Sequence, residues 1–398
     1  MDLDPRVHDA DDSLSPFLER FRRGPDIIAY LDGNSLGRLP VSTPQAITEV
    51  VEHGWGERLI RGWSDGWVDY PTVAGDEIAS AVLGAAAGQT VIADSTSVNI
   101  YKALRSAVRM RPGRSEILVE DTAFPTDRYL AESIAADLGL TLRLVSGDTR
   151  YGVSADALDA QLSDRTAAVL LGHVDYRSGA LLDMGSLTAQ THDAGALMIC
   201  DLSHSAGVVP VELDSWGVDF AVGCTYKYLN AGPGAPAFIY VAHRHLPHVN
   251  QPIPGWWSTD DLFAMEETHR PAGDIRRMLS GTPPIVTITA VRSGISLVGE
   301  AGIGPIRTKS IKLGEYLIAL LDARVPQAEI LSPRDRDLRG SHISIAVPEA
   351  ATVTGLLIER GVVPDFRHPD LIRLGLSPLS TSFAEVSAAV DVLAEVLG

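Results

Sequence analysis

An aspartate and a lysine, Asp201 and Lys227, are the residues of this chain with the clearest chemical meaning. Asp201 ends one apolar run, and Lys227 follows the next apolar run in the segment GCTYKYLNAGPGAP. A lysine amine forms a Schiff base with an aldehyde, and a carboxylate keeps a pyridine nitrogen protonated so that the ring accepts electrons. The pair therefore predicts a site for pyridoxal phosphate (PLP).

The segment Asp94–Asn99 (DSTSVN) is a candidate phosphate site. It follows the strand-like Thr90–Ile92 and opens a helical pattern, so its hydroxyls and backbone N–H groups stand at a helix N-terminus. Such a terminus suits a phosphate, because its N–H groups are unpaired and the helix dipole favours an anion. An ordinary helix N-cap is the alternative, and the presence of Asp201 and Lys227 favours the phosphate site.

The composition indicates a large globular enzyme with a second, smaller domain, since 398 residues can bury a large core. Acids outnumber bases by 51 to 33, which argues against a nucleic-acid or membrane partner. The acidic N-terminus lacks an apolar signal region, so a cytoplasmic protein is expected. Cys200 and Cys224 lie in apolar runs and are expected to be buried free thiols. No metal is expected.

Alternating strand-like and helix-like stretches predict an α/β fold for the middle of the chain. Short apolar runs predict strands at Glu116–Glu120, Thr141–Val145, Ala167–Leu171, Leu197–Asp201, Phe220–Gly223 and Ala237–Val241. Helical periodicity predicts helices at Asp127–Leu138, Ala155–Leu162 and Met184–His192. The alternation predicts a mostly parallel sheet covered by helices on both faces, with ligands at the carboxyl ends of its strands.

The pattern changes near Ile306, where a small C-terminal α+β domain is expected. Helices are predicted at Lys309–Asp322, Thr352–Arg360 and Ala384–Leu397, and strands at Ser341–Val347 and Ile372–Leu376. The chain is therefore divided into an N-terminal segment (1–45), a large PLP-binding domain (46–305) and a small C-terminal domain (306–398).

Seven segments of the chain together resemble one family, the kynureninases of the bacterial type. They are Tyr30–Pro40 (YLDGNSLGRLP), Asp94–Lys102 (DSTSVNIYK), Phe124–Tyr129 (FPTDRY), Asp201–Gly207 (DLSHSAG), Tyr226–Phe238 (YKYLNAGPGAPAF), Gly281–Pro284 (GTPP) and Asp365–Leu379 (DFRHPDLIRLGLSPL). These enzymes have the PLP-dependent aspartate-aminotransferase fold (fold type I, class-V aminotransferase-like). They hydrolyse the Cβ–Cγ bond of L-kynurenine to anthranilate and L-alanine, in tryptophan catabolism and NAD biosynthesis. The resemblance runs from about Tyr30 to the C-terminus.

Where its motifs match, the resemblance implies roles around the cofactor ring. It implies that Lys227 forms the Schiff base, that Asp201 pairs with the pyridine nitrogen, and that His204 lies beside the ring. A satisfied core histidine is the alternative for His204. Phe124 is expected to stack on the ring, and Asp127 to lie near its phenolic oxygen or a neighbouring group.

The resemblance also implies a phosphate site that two subunits share. Thr96, Ser97 and Tyr226 are expected to contact the phosphate from one chain, and Trp256 and Thr282 from the partner subunit. A homodimer follows from that arrangement, and two-fold dimers are the commonest oligomers. A plain interface aromatic is the alternative for Trp256.

Further residues are implied to act on the substrate. Tyr226, next to Lys227, resembles the tyrosine that donates a proton to the β-carbon. Arg373 is expected to bind the α-carboxylate, because a planar guanidinium makes two parallel hydrogen bonds to it; a surface strand arginine is the alternative. Asn34 and Ser35 are expected at the mouth of the site, with an ordinary turn as the alternative.

The aryl side of the substrate is expected to meet aromatic residues. HGWGERLIRGWSDGW supplies Trp55 and Trp63, either as an aromatic wall or as domain packing. Trp55 stands where animal enzymes have a histidine, which resembles the kynurenine-preferring bacterial type. Departures from the family's usual residues occur at Gly172, Asp175, Ser258, Leu376 and Ser380. They leave 3-hydroxykynurenine, or another ring-substituted kynurenine of secondary metabolism, as the alternative substrate.

Two other classes of protein share the PLP-binding pattern. A cysteine desulfurase needs a mobile nucleophilic cysteine on a late loop, whereas Cys200 and Cys224 precede Lys227 inside apolar runs. A PLP-binding regulator joins the fold to a DNA-binding segment, and no basic helix-turn-helix pattern precedes Tyr30. Both features favour the hydrolase over these alternatives.

Overall fold

The computed structural model describes residues 2–398 as helices packed on both faces of a central sheet, with a second sheet nearer the C-terminus. The helices are α1 (Pro5–Ala10), α2 (Thr43–Glu49), α3 (Tyr70–Ile78), α4 (Thr96–Arg109), α5 (Pro125–Leu138), α6 (Ala155–Asp159), α7 (Met184–Asp193), α8 (Leu213–Trp216), α9 (Ile285–Ala301), α10 (Ile303–Arg324), α11 (Ala350–Glu359) and α12 (Phe383–Leu397). The strands are β1 (Ala29–Tyr30), β2 (Thr90–Ala93), β3 (Glu116–Glu120), β4 (Thr141–Val145), β5 (Thr166–Gly172), β6 (Leu197–Asp201), β7 (Phe220–Gly223), β8 (Ala237–Val241), β9 (Glu329–Ile330), β10 (His342–Ala346), β11 (Val362–Val363), β12 (Asp365–Arg367) and β13 (Leu371–Gly375).

The central sheet has seven strands in the order β2-β8-β7-β6-β5-β3-β4. Strands β3 to β7 run parallel, and β8 is antiparallel to both of its neighbours. The reversal at β8 has a local cause, because β7 and β8 are joined by the Lys227 turn without the crossover helix that a parallel pair requires. The expected mostly parallel α/β sheet is confirmed.

Alternation along β3 explains why helices cover both faces of this sheet. Ile117 and Val119 point into one hydrophobic core, and Leu118 points into the other. Successive side chains of a strand point to opposite faces, so a strand that is apolar at every position must be buried on both. Cys200 and Cys224 are buried free thiols, as expected.

The C-terminal residues form a four-stranded antiparallel sheet, in the order β12-β13-β10-β9, with a hydrophobic core of its own. Ala29 and Leu31 of the N-terminal segment belong to this core, and β1 pairs with β11. Helix α10 begins at Ile303, earlier than the predicted Lys309, because Pro305 is tolerated in the first turn of a helix. No helix within residues 2–398 is long and apolar enough to cross a bilayer.

A buried ion pair joins the DGNSLGR loop to the last helix. Arg38 Nη2 lies 2.5 Å from Glu385 Oε1, and both side chains are less than a tenth exposed. The other carboxylate oxygen of Glu385 accepts the backbone N–H of Ser382 at 3.0 Å, which caps α12. One carboxylate therefore neutralises a buried guanidinium and satisfies a helix terminus.

The substitution Glu385→Ala is expected to lower the free energy of unfolding by about 3–5 kcal/mol, because it leaves a buried guanidinium without its counter-charge. A urea titration followed by circular dichroism measures the change. Glu395→Ala is the matched control: Glu395 pairs with Arg360 at 3.5 Å on the surface, and its loss is expected to change stability by under about 1 kcal/mol. Equal effects of the two substitutions would contradict the structural role of Glu385.

Candidate active site

One cavity of about 200 Å³ at the carboxyl edge of the central sheet gathers most of the predicted cofactor residues. Its lining comprises Thr96, Ser97, Ile100, Glu120, Ala123, Phe124, Thr126, Asp127, Gly172, Val174, Asp175, Tyr176, Asp201, Ser203, His204, Tyr226 and Lys227. These residues come from the ends of β3, β5 and β6, from the turn after β7, and from the first turns of α4 and α5. Their convergence follows from the parallel strands, whose carboxyl ends meet at one edge.

Lys227 lies in contact with a buried histidine. Its Nζ is 3.0 Å from His204 Nε2, which also lies 3.1 Å from the carbonyl oxygen of Asn34. Burial, and then the charge of Lys227, lowers the pKa of His204 well below its usual range. The imidazole is therefore neutral, and in one tautomer it donates to Asn34 while in the other it accepts from Lys227.

The DGNSLG loop is held directly against the lysine turn. The backbone N–H of Gly37 donates to the carbonyl oxygen of Tyr226 at 2.8 Å. A Cβ at Gly37 would come within 2.2 Å of the carbonyl oxygen of Lys227, so only glycine fits there. This close approach explains the glycine of the motif and brings Asn34 next to His204.

Four carboxyl groups line the cavity, those of Glu120, Asp127, Asp175 and Asp201. Asp127 is fully buried, and burial together with the charge of Asp201 raises its pKa well above the usual range. Burial, with the charge of Asp175, raises the pKa of Glu120 to about 7. Asp201 accepts the backbone N–H of Ser203 at 2.8 Å and stays partly exposed to the cavity. Asp201 is therefore the carboxylate best placed to meet a cationic ring.

The N-terminus of α4 forms one end of the cavity. Ser95 caps the helix by accepting from the backbone N–H of Val98 at 3.4 Å, while Thr96 and Ser97 line the cavity. A salt bridge links the turn before α4 to the helix itself, because Lys102 Nζ lies 2.6 Å from Asp94 Oδ2. Two hydroxyls and a helix N-terminus thus point toward a site suited to an anion.

These residues fit PLP. The cavity combines an amine (Lys227), a partly exposed carboxylate (Asp201) and an exposed aromatic ring (Phe124) with the helix N-terminus of α4. Lys227 Nζ lies 5.9 Å from the centre of the Phe124 ring. Within residues 2–398, Asp127 Oδ1 has no hydrogen-bond partner despite its full burial. A polar ligand that reaches Asp127 would satisfy this atom.

Arg373 lies beside the cavity, at the boundary with the C-terminal sheet. It is almost fully buried, and its Nη1 donates to the carbonyl oxygen of Tyr176 at 2.7 Å. Its Nη2 contacts Ser35 Oγ at 3.2 Å and the carboxylate of Asp365. Ser35 thus contacts Arg373 and Asn34 contacts His204, although neither residue lines the cavity itself.

Residues 175–181 (the clasp) contact the segment between β9 and β10, and the sequence analysis named only Asp175 among them. Beyond the Tyr176 contact with Arg373, its Gly179 carbonyl accepts from Gly340 at 2.8 Å, and its Leu181 N–H donates to Leu338 at 3.0 Å. The same segment lines the cavity through Asp175 and Tyr176. The clasp therefore joins the cavity to the guanidinium of Arg373.

Asp175 holds the first turn of this clasp. Its Oδ1 accepts from the backbone N–H of Arg177 at 3.0 Å, and from the N–H and hydroxyl of Ser178 at 2.5 and 2.8 Å. An aspartate that accepts from the two following N–H groups forms an Asx-turn. This turn orients the Tyr176 carbonyl that binds Arg373.

The substitution Asp175→Ala is expected to raise the substrate KM roughly 10- to 100-fold with a smaller change in kcat, because the Tyr176 carbonyl no longer holds Arg373 in place. Steady-state kinetics measure the split between KM and kcat. Asp175→Asn keeps the accepting oxygen and is expected to remain within about threefold of the wild type. An equal loss in both variants would assign the effect to the charge of Asp175 instead of the turn.

Four other predicted residues lie outside the cavity. Trp55 is 60% exposed, on the π-helical turn Val50–Glu57. Trp63 packs on Trp67 and Trp257, with ring centres 5.4 and 5.0 Å apart. Trp256 and Thr282, assigned to the site of a partner subunit, are exposed on the surface of this chain.

Some residues of the site escaped the sequence analysis although a signal was present. Glu120 ends β3 just as Asp201 ends β6, so the strand-end rule that selected Asp201 points equally to Glu120. Asp365 lies in the DFRHPDLIRLGLSPL segment, in which the sequence analysis assigned a site role to Arg373 but not to Asp365. Tyr176 contributes a backbone carbonyl, which no residue type reveals.

The comparisons with known proteins identify the family of the chain. A model of the kynureninase C-terminal domain matches residues 306–393. The chain is 42% identical to a kynureninase of Pseudomonas fluorescens and 41% identical to one of Burkholderia pseudomallei, each over 98% of this chain and 94% of the relative.

Solved structures show the same fold at lower identity. A cysteine desulfurase of Thermococcus onnurineus matches with a TM-score of 0.83 and 19% identity, over 94% of this chain and 98% of its own. A C-DES variant with glycine covalently linked to its PLP cofactor also has a TM-score of 0.83 and 19% identity, over 93% of this chain and 97% of its own.

The fold and the cavity together define a PLP-dependent enzyme of the class-V aminotransferase-like group. Identity to the two bacterial relatives, at 41–42% over nearly the full length of the chain, then decides the family within that group. The chain belongs to the kynureninase family.

Proposed function

We propose that this protein hydrolyses the Cβ–Cγ bond of L-kynurenine, giving anthranilate and L-alanine, with PLP as its cofactor. One observation carries the proposal: Lys227, Tyr226 and Asp201 meet in one cavity of a chain that is 41–42% identical to kynureninases. When bound, PLP would supply an aldehyde for the substrate amine and a ring that accepts electrons from the substrate carbons.

The cavity residues divide the binding of PLP among them. Thr96 and Ser97 would hold the phosphate at the start of α4, and Phe124 would cover one face of the ring. Asp201 would hold a proton on the ring nitrogen through its negative charge. Asp127, whose pKa is raised by burial and the charge of Asp201, would lie near the phenolic oxygen.

Lys227 is proposed to remove the α-proton of the substrate, with the neutral His204 beside it. With PLP and substrate bound, Lys227 would be a free amine able to take the proton from the α-carbon. His204 stays neutral beside it, because burial lowers its pKa well below the usual range. A neutral imidazole 3.0 Å from Nζ adds no positive charge that would compete with proton uptake.

Tyr226 and Arg373 serve the substrate itself. Tyr226 lines the cavity beside Lys227, and its hydroxyl, whose pKa burial raises, is protonated at neutral pH and would protonate the β-carbon after cleavage. Arg373 would orient the substrate through its α-carboxylate. The nucleophile that attacks the γ-ketone is water.

We further propose that the protein is a cytoplasmic homodimer. Its reaction would belong to tryptophan catabolism and NAD biosynthesis. Trp256 and Met265 support the dimer, since they are exposed apolar side chains that line one surface cavity, and an exposed apolar patch is typical of an interface. In that dimer Trp256 and Thr282 would reach the phosphate of the neighbouring subunit. Two buried free thiols suit a reducing compartment.

Turnover of L-kynurenine by the purified holoenzyme tests the function. Anthranilate, followed by its fluorescence, and L-alanine are expected to form in equal molar amounts. The same assay with 3-hydroxykynurenine gives the preference through kcat/KM, which is expected to favour L-kynurenine. Absence of turnover with both substrates, in protein that has bound PLP, would refute the proposed hydrolase.

A further inference from the structure

The guanidinium of Arg373 is already paired with a carboxylate of its own domain. Asp365 on β12 lies directly opposite Arg373 on β13, and its Oδ2 accepts a hydrogen bond from Arg373 Nη2. Arg373 is 1% exposed, and a buried guanidinium without a counter-charge is strongly destabilising. Asp365 therefore neutralises the residue to which we assign the substrate carboxylate.

The donors of Arg373 are unequally used. Nη1 donates to the carbonyl oxygen of Tyr176 at 2.7 Å, and Nη2 contacts Asp365 and, at 3.2 Å, Ser35 Oγ. Nε has no partner in the part of the chain that the structure describes. A carboxylate held by two parallel hydrogen bonds needs two neighbouring nitrogens. On the edge formed by Nε and Nη2, Asp365 occupies one of the two positions.

Asp365 has other partners that it keeps if it releases Arg373. Its Oδ2 lies 2.9 Å from Arg367 Nη2 and accepts from Ser35 Oγ at 3.1 Å. Arg367 Nε makes no hydrogen bond within the described residues, so this guanidinium has spare capacity. The guanidinium groups of Arg367 and Arg373 thus share the carboxylate of Asp365. A second carboxylate, supplied by a ligand, would give each guanidinium a partner of its own.

We propose that Asp365 competes with the α-carboxylate of the substrate for Arg373 and passes to Arg367 when the substrate binds. The inference rests on the proposed binding of that carboxylate by Arg373. Each guanidinium keeps a carboxylate before and after the exchange. A ligand without a carboxylate cannot displace Asp365, so the exchange selects amino acids over simple amines.

Binding of L-alanine and L-alaninamide to the holoenzyme, followed by the absorbance of PLP, tests the exchange. Asp365→Asn is expected to lower the Kd of L-alanine about five- to tenfold, because the binding edge of Arg373 is no longer held. The Kd of L-alaninamide, which has no carboxylate, is not expected to fall. A rise in the L-alanine Kd, or an equal fall for both ligands, would overturn the exchange.

Asp32→Asn is the matched control for a general loss of negative charge. Burial raises the pKa of Asp32 to about 6, so the control is measured at pH 8, where this carboxyl is ionised. Asp32 makes no hydrogen bond to Arg373 within residues 2–398, and its substitution is expected to change the L-alanine Kd less than Asp365→Asn does. Equal falls in both variants would also overturn the exchange.

Two further variants separate the exchange from the role of Arg373. Arg367→Gln removes the alternative partner of Asp365 and is expected to raise the L-alanine Kd. Arg373→Lys is expected to raise it as well, because a lysine cannot form the two parallel bonds. If Arg373→Lys leaves the Kd unchanged, the assigned role of Arg373 fails; if it raises the Kd and Asp365→Asn does not lower it, only the exchange fails.

Discussion

Replacement of Lys227 by alanine is expected to reduce kcat for L-kynurenine by about 10⁴-fold, because in the proposed mechanism one amine both attaches the cofactor and moves the α-proton. The position of Lys227 leaves no substitute. It is the only lysine among the residues that line the cavity, and Lys102 is engaged with Asp94 at 2.6 Å. Single-turnover kinetics with added PLP measure the loss.

Two observations distinguish this loss from unfolding. Borohydride reduction is expected to fix PLP to the wild type and to leave the Lys227→Ala variant free of covalent cofactor. Lys312→Ala is the matched control, since Lys312 is exposed and pairs with Asp11 on the surface. Wild-type turnover by Lys227→Ala would remove the basis of the proposed mechanism.

The second-largest effect is expected for Asp201→Asn, with a fall in kcat of roughly 10²- to 10⁴-fold. An amide has the shape of the carboxylate but lacks the charge that holds a proton on a pyridine nitrogen. The backbone N–H of Ser203 donates to Asp201 Oδ1 at 2.8 Å, and an asparagine oxygen keeps this contact. The loss therefore reports the charge and not the turn.

The absorbance spectrum of bound PLP distinguishes the effect of the Asp201 charge from that of its hydrogen bond to Ser203. The absorbance of bound PLP is expected to shift in Asp201→Asn, because the protonation of the ring changes, whereas PLP content stays near that of the wild type. Asp193→Asn, on the exposed end of α7, is the matched control. Full activity in Asp201→Asn would show that the ring nitrogen needs no carboxylate in this enzyme.

Much of the large sheet was predictable, because its signals are local. The runs at Glu116–Glu120 and Leu197–Asp201 are apolar, short and bounded by turn residues, and both became strands with the predicted bounds. The antiparallel direction of β8 was not predictable in this way. It follows from the connection between β7 and β8, which lacks a crossover helix, and not from the apolar run of β8 itself.

The residues that line the cavity and are proposed to hold the cofactor were likewise accessible from the sequence, since motifs carry residue types and strand ends carry position. Lys227, Asp201 and Asp127 are brought to one cavity because parallel strands end at a common edge. The aryl side was not accessible, because Trp55 and Trp63 lie on irregular helical turns whose direction no periodicity predicts.

The sequence by itself determined the family, the sheet and the chemistry of the lysine and its acid, because these depend on residue types at local spacings. Only the tertiary structure shows that His204 contacts Lys227. The same is true of the Tyr176 carbonyl, which the Asp175 turn presents to Arg373, and of the hydrogen bond between Asp365 and the Arg373 guanidinium. Tyr176 and Arg373 are 197 positions apart in the chain, whereas Asp365 and Arg373 are 8 positions apart on paired strands. In every case the contact energy depends on distance and burial in the folded protein.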